Sequence, residues 1–203
     1  MKINIDVSDG KNVFFISDLH LGHRNVIKYD NRPFVTANGE PDLDLMHETI
    51  IRNWNSVVGE YDVVFNLGDL CFGSTQLAKE VVFKLNGRIH YIIGNHDNYK
   101  DILNLNRFDT VSDLIDLNIS GGKVSKNLHM VLCHYPIYSW NRAHHNSYHL
   151  HGHCHGNLHH GENADYYIGR RVIDVGCNLI NYTPISYIDA ITKIEENWVK
   201  KSN

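Results

Sequence analysis

Three short apolar runs in the first half of the chain constrain it most, because each stops abruptly at side chains that coordinate or titrate. Val13-Phe14-Phe15-Ile16 gives way to Ser17-Asp18-Leu19-His20, and Val63-Val64-Phe65 leads into Asn66-Leu67-Gly68-Asp69. A third, Tyr91-Ile92-Ile93 within a strand expected over 89–93, ends in Gly94-Asn95-His96-Asp97. Apolar runs of this length without alternation read as strands buried on both faces. Between them, Leu45, Met46, Ile50, Trp54 and Val57 recur at helical spacing. That spacing predicts a helix capped by Asp42 or Asp44 and stopped by Gly59. Ser74 predicts the cap of a second helix, running through Leu85 to a stop at Asn86-Gly87. Strand, helix, strand, helix, strand implies parallel pairing through crossovers, with ligands bound at the carboxyl ends of the strands.

The second half has a different rhythm. Residues 110–111, 114–119 and 128–132 read as strands in tight succession, with Gly121-Gly122 as a hairpin turn. The last of them ends in Cys133-His134-Tyr135-Pro136. Further strands are expected at 148–151 and 171–175. Ser186 either caps a helix or precedes an edge strand over 188–194, and the pattern leaves both open. Nothing in the sequence reads as a linker, repeat or low-complexity tract, so one α/β domain over 1–203 is expected.

Composition narrows the function classes. With 203 residues, 42% of them hydrophobic, one substantial core can form. A net charge of -4 offers no general attraction to nucleic acid or anionic lipid. The first residues lack the basic-then-apolar order of a signal peptide, and no apolar run approaches the roughly 20 residues of a membrane span. Cys71, Cys133, Cys154 and Cys177 are scattered, which suggests reduced thiols and a cytoplasmic protein. Fifteen histidines are the anomaly, and eight of them fall between His144 and His160.

The ends of the predicted strands collect Asp18 with His20, Asp69, Asn95 with His96, His134, and His153 with His155. Carboxylate, imidazole and one amide oxygen suit Mn, Fe, Zn or Ni better than Ca or Mg alone. On an extended segment, Asp-x-His and His-x-His would each aim two side chains at a common centre. The supply exceeds one ion. Two ions about 3.5–4 Å apart, sharing a carboxylate, are a common device for hydrolysing phosphate esters.

These residues carry a resemblance. Asp18-x-His20, Gly68-Asp69, Gly94-Asn95-His96-Asp97, His134-x-Pro136 and Gly152-His153-x-His155 match, in order, the signature blocks of the calcineurin-like metallophosphoesterases. His20-Leu21-Gly22-His23 followed by Asn31-Arg32-Pro33-Phe34 is similar to small stand-alone bacterial and phage members. The resemblance implies a four-layer α-β-β-α sandwich of two mixed sheets with a dinuclear metal site at the strand ends. It implies one ion on Asp18, His20 and His155, another on Asn95, His134 and His153, and Asp69 bridging. His96 would be the catalytic histidine and Asp97 its orienting partner.

The activity this suggests is hydrolysis of a small phosphodiester or phosphomonoester, a nucleotide among the candidates, by hydroxide generated between two divalent ions, Mn²⁺ first among them. A nuclease on DNA or RNA is the alternative, disfavoured by the acidic balance. A scaffold that binds metal without catalysis is a third. His23 and Arg32 are candidate substrate contacts, Arg32 as a bidentate phosphate clamp. His149 and His151 are candidate partners of the ligands, and the pairs His144-His145 and His159-His160 are expected in loops at the mouth. Tyr135, Tyr138 and Trp140 either wall a pocket for a flat group or pack in the core.

Overall fold

In a computed structural model, which describes residues 1–122, 127–159, 166–167 and 169–199, the apolar runs lie side by side. β2 (Val13–Ile16), β3 (Val63–Asn66) and β4 (Arg88–Ile92) pair in parallel, and β5 (Thr110–Ser112) extends the sheet beside β4. Every residue of β2 and β3 is buried, which is why these stretches show no alternation. β10 (Ile185–Ser186) closes the other edge, antiparallel to β2.

A second five-stranded sheet has the order β1-β6-β7-β8-β9. β6 (Leu114–Ser120) and β7 (Leu128–Cys133) form the antiparallel hairpin, while β1 (Lys2–Asp6), β8 (Tyr148–His151) and β9 (Val172–Asp174) join in parallel. β6 alternates exposed or half-buried with buried positions, so one of its faces meets the core. Both sheets are mixed. They meet at the bridge between Ser17 and Gly176, where the ends of β2 and β9 exchange backbone hydrogen bonds.

The helices follow the caps. In α2 (Leu43–Val57) the Asp42 carboxylate accepts the Leu45 amide, and Met46, Ile50 and Trp54 form the buried stripe. Leu45 and Val57, expected on that stripe, are exposed instead. Ser74 caps α3 (Thr75–Val82), which stops three residues short of Leu85. The open choice after Ser186 resolves as a helix. Its hydroxyl accepts the Asp189 amide at the start of α5 (Tyr187–Val199), while Ile185–Ser186 is the edge strand. Strand β1 and two six-residue helices, α1 (Arg24–Tyr29) and α4 (Tyr99–Asn104), had no counterpart in the sequence reading. No helix among the described residues is long and apolar enough to cross a membrane, and the four cysteines are free.

Candidate metal centre

The strand ends converge. β2 delivers Asp18 and His20, β3 Asp69, β4 Asn95 and His96, β7 His134, and β8 His153 and His155. The backbone is not extended there, contrary to the expected Asp-x-His and His-x-His geometry. Asp18, His20, Asp69, His153 and His155 all have positive φ, between 48° and 69°. Alternate left-handed residues, rather than strand pleat, turn these side chains inward while Leu19 and Leu21 point into the core. Such conformations cost free energy and cluster at functional sites. Backbone bonds between neighbouring loops hold them: the Asp18 amide donates to the Gly68 carbonyl (2.9 Å), and the His20 amide to the Asp69 carbonyl (3.0 Å).

Two groups of ligand atoms result. Those of Asp18, His20 and His155 lie within 4.8 Å of one another, and so do those of Asp18, Asp69 and His134. In the first group His155 Nδ1 lies 2.8 and 2.9 Å from the Asp30 carboxylate oxygens and donates to them. Its Nε2 therefore points at Asp18 Oδ1 (3.4 Å) and at His20 Nε2 (3.1 Å). Burial opposes a charge on His155, but Asp18 and Asp30 push its pKa up to about 10. Burial instead pushes His20 down to about 4, so the proton resides on His155.

The second group repeats the logic. His134 Nδ1 donates to the Leu67 carbonyl (2.7 Å), leaving Nε2 to face Asp69 Oδ2 (3.4 Å) and Asn95 Oδ1 (3.0 Å). His153 Nδ1 lies 2.8 Å from the same Asn95 oxygen. Against the opposing effect of burial, the hydrogen bond to Asp69 and the charges of Asp18 and Asp69 raise the His134 pKa. Each group thus stabilises a positive charge at one point. Carboxylate and imidazole donors so gathered suit a divalent transition ion. Asp69 Oδ2 reaches both groups, 3.7 Å from His20 Nε2 as well as 3.4 Å from His134 Nε2. Asp18 belongs to both as well, whereas the sequence reading gave it to one ion only.

Other candidates fare differently. His96 is exposed at the mouth, its ring 5.5 Å from that of His20 and its amide donating to Asp69 Oδ1 (2.9 Å). Asp97 does not face the His96 ring, as an orienting partner would. Its carboxylate accepts from the amides of Asp69, Leu70 and Gly94 and from the Tyr91 hydroxyl, at 2.8–3.1 Å. It ties the two ligand loops together.

Arg32 is corrected too. It is 2% exposed, and its guanidinium donates to Asp30 and to the carbonyls of Asp18 and Leu19. No fork remains for a substrate phosphate. His23 does lie beside the centre, its ring 5.8 Å from His20 and 4.4 Å from Phe72, with its buried Nδ1 unpaired.

Exposed rings flank the site. Phe72, 52% exposed, contacts His96 at 5.5 Å, and Tyr135, 42% exposed, contacts His153 at 4.9 Å. Tyr138 and Trp140 instead pack on the Arg170 guanidinium. His149 and His151 are fully buried. Among the surplus histidines, His144 and His145 are exposed and pair with each other. His160 lies outside the described residues, as does the side chain of His159.

Sequence reasoning missed Asp30 and Asp174, whose carboxylates brace the His155 loop. Asp174 accepts the amides of Gly156 (3.0 Å) and Gly176 (2.9 Å), and burial lifts its pKa to about 6. Nothing local distinguishes these acids from surface ones.

No protein-family model matches the chain. An uncharacterized protein of the archaeon Methanocaldococcus jannaschii is 34% identical over 192 residues, covering 92% of each chain. Gene 66 proteins of Mycobacterium phages L5 and D29 are 35% and 38% identical over 89 and 103 residues, less than half of either chain. A solved protein of unknown function from Aquifex aeolicus superposes with a TM-score of 0.65 at 24% identity, covering 91% of this chain and all of that one, a likeness of fold. The chain is a member of the family of the M. jannaschii protein.

Proposed function

We propose that this protein is a metal-dependent phosphohydrolase of the calcineurin-like metallophosphoesterase type, cleaving a small phosphodiester or phosphomonoester. The observation that carries the reading is the paired demand for positive charge. His134 and His155 each spend Nδ1 as a donor elsewhere and turn Nε2 toward carboxylate oxygen. Two divalent ions, Mn²⁺ in the first instance, would be held by Asp18, His20 and His155 and by Asn95, His134 and His153, with Asp69 between them. Such ions supply Lewis acidity that lowers the pKa of water and neutralises phosphoryl oxygens. In this reading the two five-stranded sheets and their helices form a four-layer sandwich with the centre at its edge.

The chain's own residues have distinct tasks. Asp18 and Asp69 set the charge of the centre from buried positions. Asp97 keeps the β3 and β4 loops in register by accepting four donors. His96, anchored through its amide to Asp69, offers a ring N–H to a phosphate oxygen or to the departing oxygen. Phe72 and Tyr135 give the mouth apolar faces on which a flat substituent can rest.

The test is hydrolysis of bis-p-nitrophenyl phosphate, p-nitrophenyl phosphate and plasmid DNA with Mn²⁺, against His96→Ala. Mn²⁺-dependent release of p-nitrophenol, falling roughly 10²–10⁴-fold in His96→Ala, is the expected result. Nicking of plasmid with inert small esters would favour a nuclease instead. Silence on all three substrates with metal bound would overturn the enzymatic reading.

A further inference from the structure

The buried acid and base that close α1 are connected to the centre. α1 ends at Asp30, and Asn31 turns the chain with a φ of 51°, so that the Arg32 amide returns to the Ile27 carbonyl (2.8 Å). Arg32 then lies beneath the centre. Nε and Nη2 donate to Asp30 Oδ2 (3.0 and 2.8 Å), Nη2 also to the Asp18 carbonyl (3.0 Å), and Nη1 to the Leu19 carbonyl (3.0 Å). Tyr182 stacks below, its ring centroid 5.8 Å from Cζ. Both Asp30 oxygens accept from His155 Nδ1. One guanidinium therefore links the left-handed backbone at Asp18 to the ring orientation of His155.

We propose that Asp30 and Arg32 are positioning residues for the metal centre, with Asp30 fixing His155 as its Nδ1–H tautomer and Arg32 clamping Asp30 to the Asp18 backbone. This rests on the phosphohydrolase reading's two-ion centre. A ligand imidazole that donates its other N–H to a carboxylate is held in one tautomer and one orientation, and is made more basic. Asp30 meets both requirements for the ion at Asp18, His20 and His155, and it does not touch the other group. Arg32 is suited to the task because its planar fork serves a carboxylate and two carbonyls at once, which a lysine cannot.

The decisive measurement is a Mn²⁺ titration, by calorimetry and electron paramagnetic resonance, of the wild type, Asp30→Ala, Asp30→Asn, His155→Ala and the Asp30→Ala/His155→Ala double variant. Asp30→Ala is expected to weaken one of the two binding steps by about 10–100-fold and to leave the other unchanged. Asp30→Asn, which keeps an acceptor for Nδ1–H but not the charge, falls between, and it carries the test if Asp30→Ala does not fold. In the His155→Ala background the alanine at position 30 should have no further effect. Wild-type affinity at both steps in Asp30→Ala, equal loss at both, or the same loss without His155 would overturn the proposal. A wild-type protein that binds no Mn²⁺ would overturn the two-ion reading itself, an outcome distinct from two bound ions indifferent to Asp30.

Discussion

Replacing Gly94 with alanine should damage the centre without replacing a ligand. A Cβ built on Gly94 falls against Asp69, 2.6 Å from its amide nitrogen and 2.8 Å from its carboxyl carbon. Carbon atoms in contact ordinarily sit about 3.5–4.0 Å apart. Asp69 must therefore retreat by about 0.7 Å or more, and it is not free to do so. Its amide donates to Asp97 and its Oδ1 accepts from the His96 amide, both at 2.9 Å. Overpacking of this kind costs about 1–3 kcal/mol, and a displacement near 1 Å in a catalytic constellation costs about 10²-fold in turnover. Urea unfolding measures the first effect, and Mn²⁺ calorimetry with hydrolysis of bis-p-nitrophenyl phosphate measures the second. If the alanine variant keeps wild-type stability, metal affinity and turnover, Gly94 does not set the position of Asp69.

His149 is one source of acid instability, beside His151, whose burial lowers its pKa to about 3. Burial lowers the His149 pKa from 6.5 to about 4, while Nδ1 donates to the Val131 carbonyl and Nε2 accepts the Ile137 amide. The unfolded chain binds this proton first, so the His149 contribution is complete above pH 6.5 and falls by about 3 kcal/mol as pH drops to 4. His149→Gln should make that slope shallower in urea melts, and an unchanged slope would refute the assignment. Asp97→Ala strands three amides and a hydroxyl and should cost on the order of 3 kcal/mol in the same assay. A purely kinetic defect would restore Asp97 as the orienting partner of His96. Mn²⁺ at about 100 times its Kd should stabilise by roughly 2.7 kcal/mol per ion, about 5–10 °C in Tm, and EDTA should reverse the gain. No shift in calorimetric scans would contradict the centre. His153→Gly relieves a left-handed residue at an exposed position, so stability should hold or rise by about 1 kcal/mol, while on the two-ion reading one Mn²⁺ binding step in calorimetry should be lost. A large loss of stability would show that the His153 backbone is not strained.

The parallel sheet was legible because β2, β3 and, after the exposed Arg88, β4 are buried on both faces, so that apolar residues dominate each without alternation. Ser74 and Asp42 announced their helices because a cap is a local interaction between a side chain and an amide three residues on. β1 was hidden, since Lys2–Asp6 is half-buried with charged residues at both ends. α1 was hidden for another reason: His23 makes no side-chain cap and the helix is only six residues long. α4 did carry a signal, Asn98 accepting the amides of Lys100 and Asp101, that the sequence reading passed over. At the site, the convergence of the strand-end residues followed from topology. The partners of Asp97 and Arg32 did not, because each is fixed by backbone atoms of loops far away in sequence, to which a sequence pattern assigns no position.

The left-handed residues explain why so much of the surrounding hydrogen bonding is backbone to carboxylate. Five strained positions at about 1–3 kcal/mol each amount to a sum comparable with the whole stability of a domain. They persist only where neighbouring structure over-determines them. Asp97 holds the amides of Asp69 and Leu70, Asp18 holds the His153 amide at 3.1 Å, and Asp174 holds the amide that follows His155. Three buried or half-buried acids thus fix the loops on which the other ligands ride. Asp18 does both jobs, which makes it the residue whose loss should unravel geometry and charge together. The strain, the acids that hold it and the imidazoles that face them are one arrangement, and its donors are those that could hold a cation at its centre.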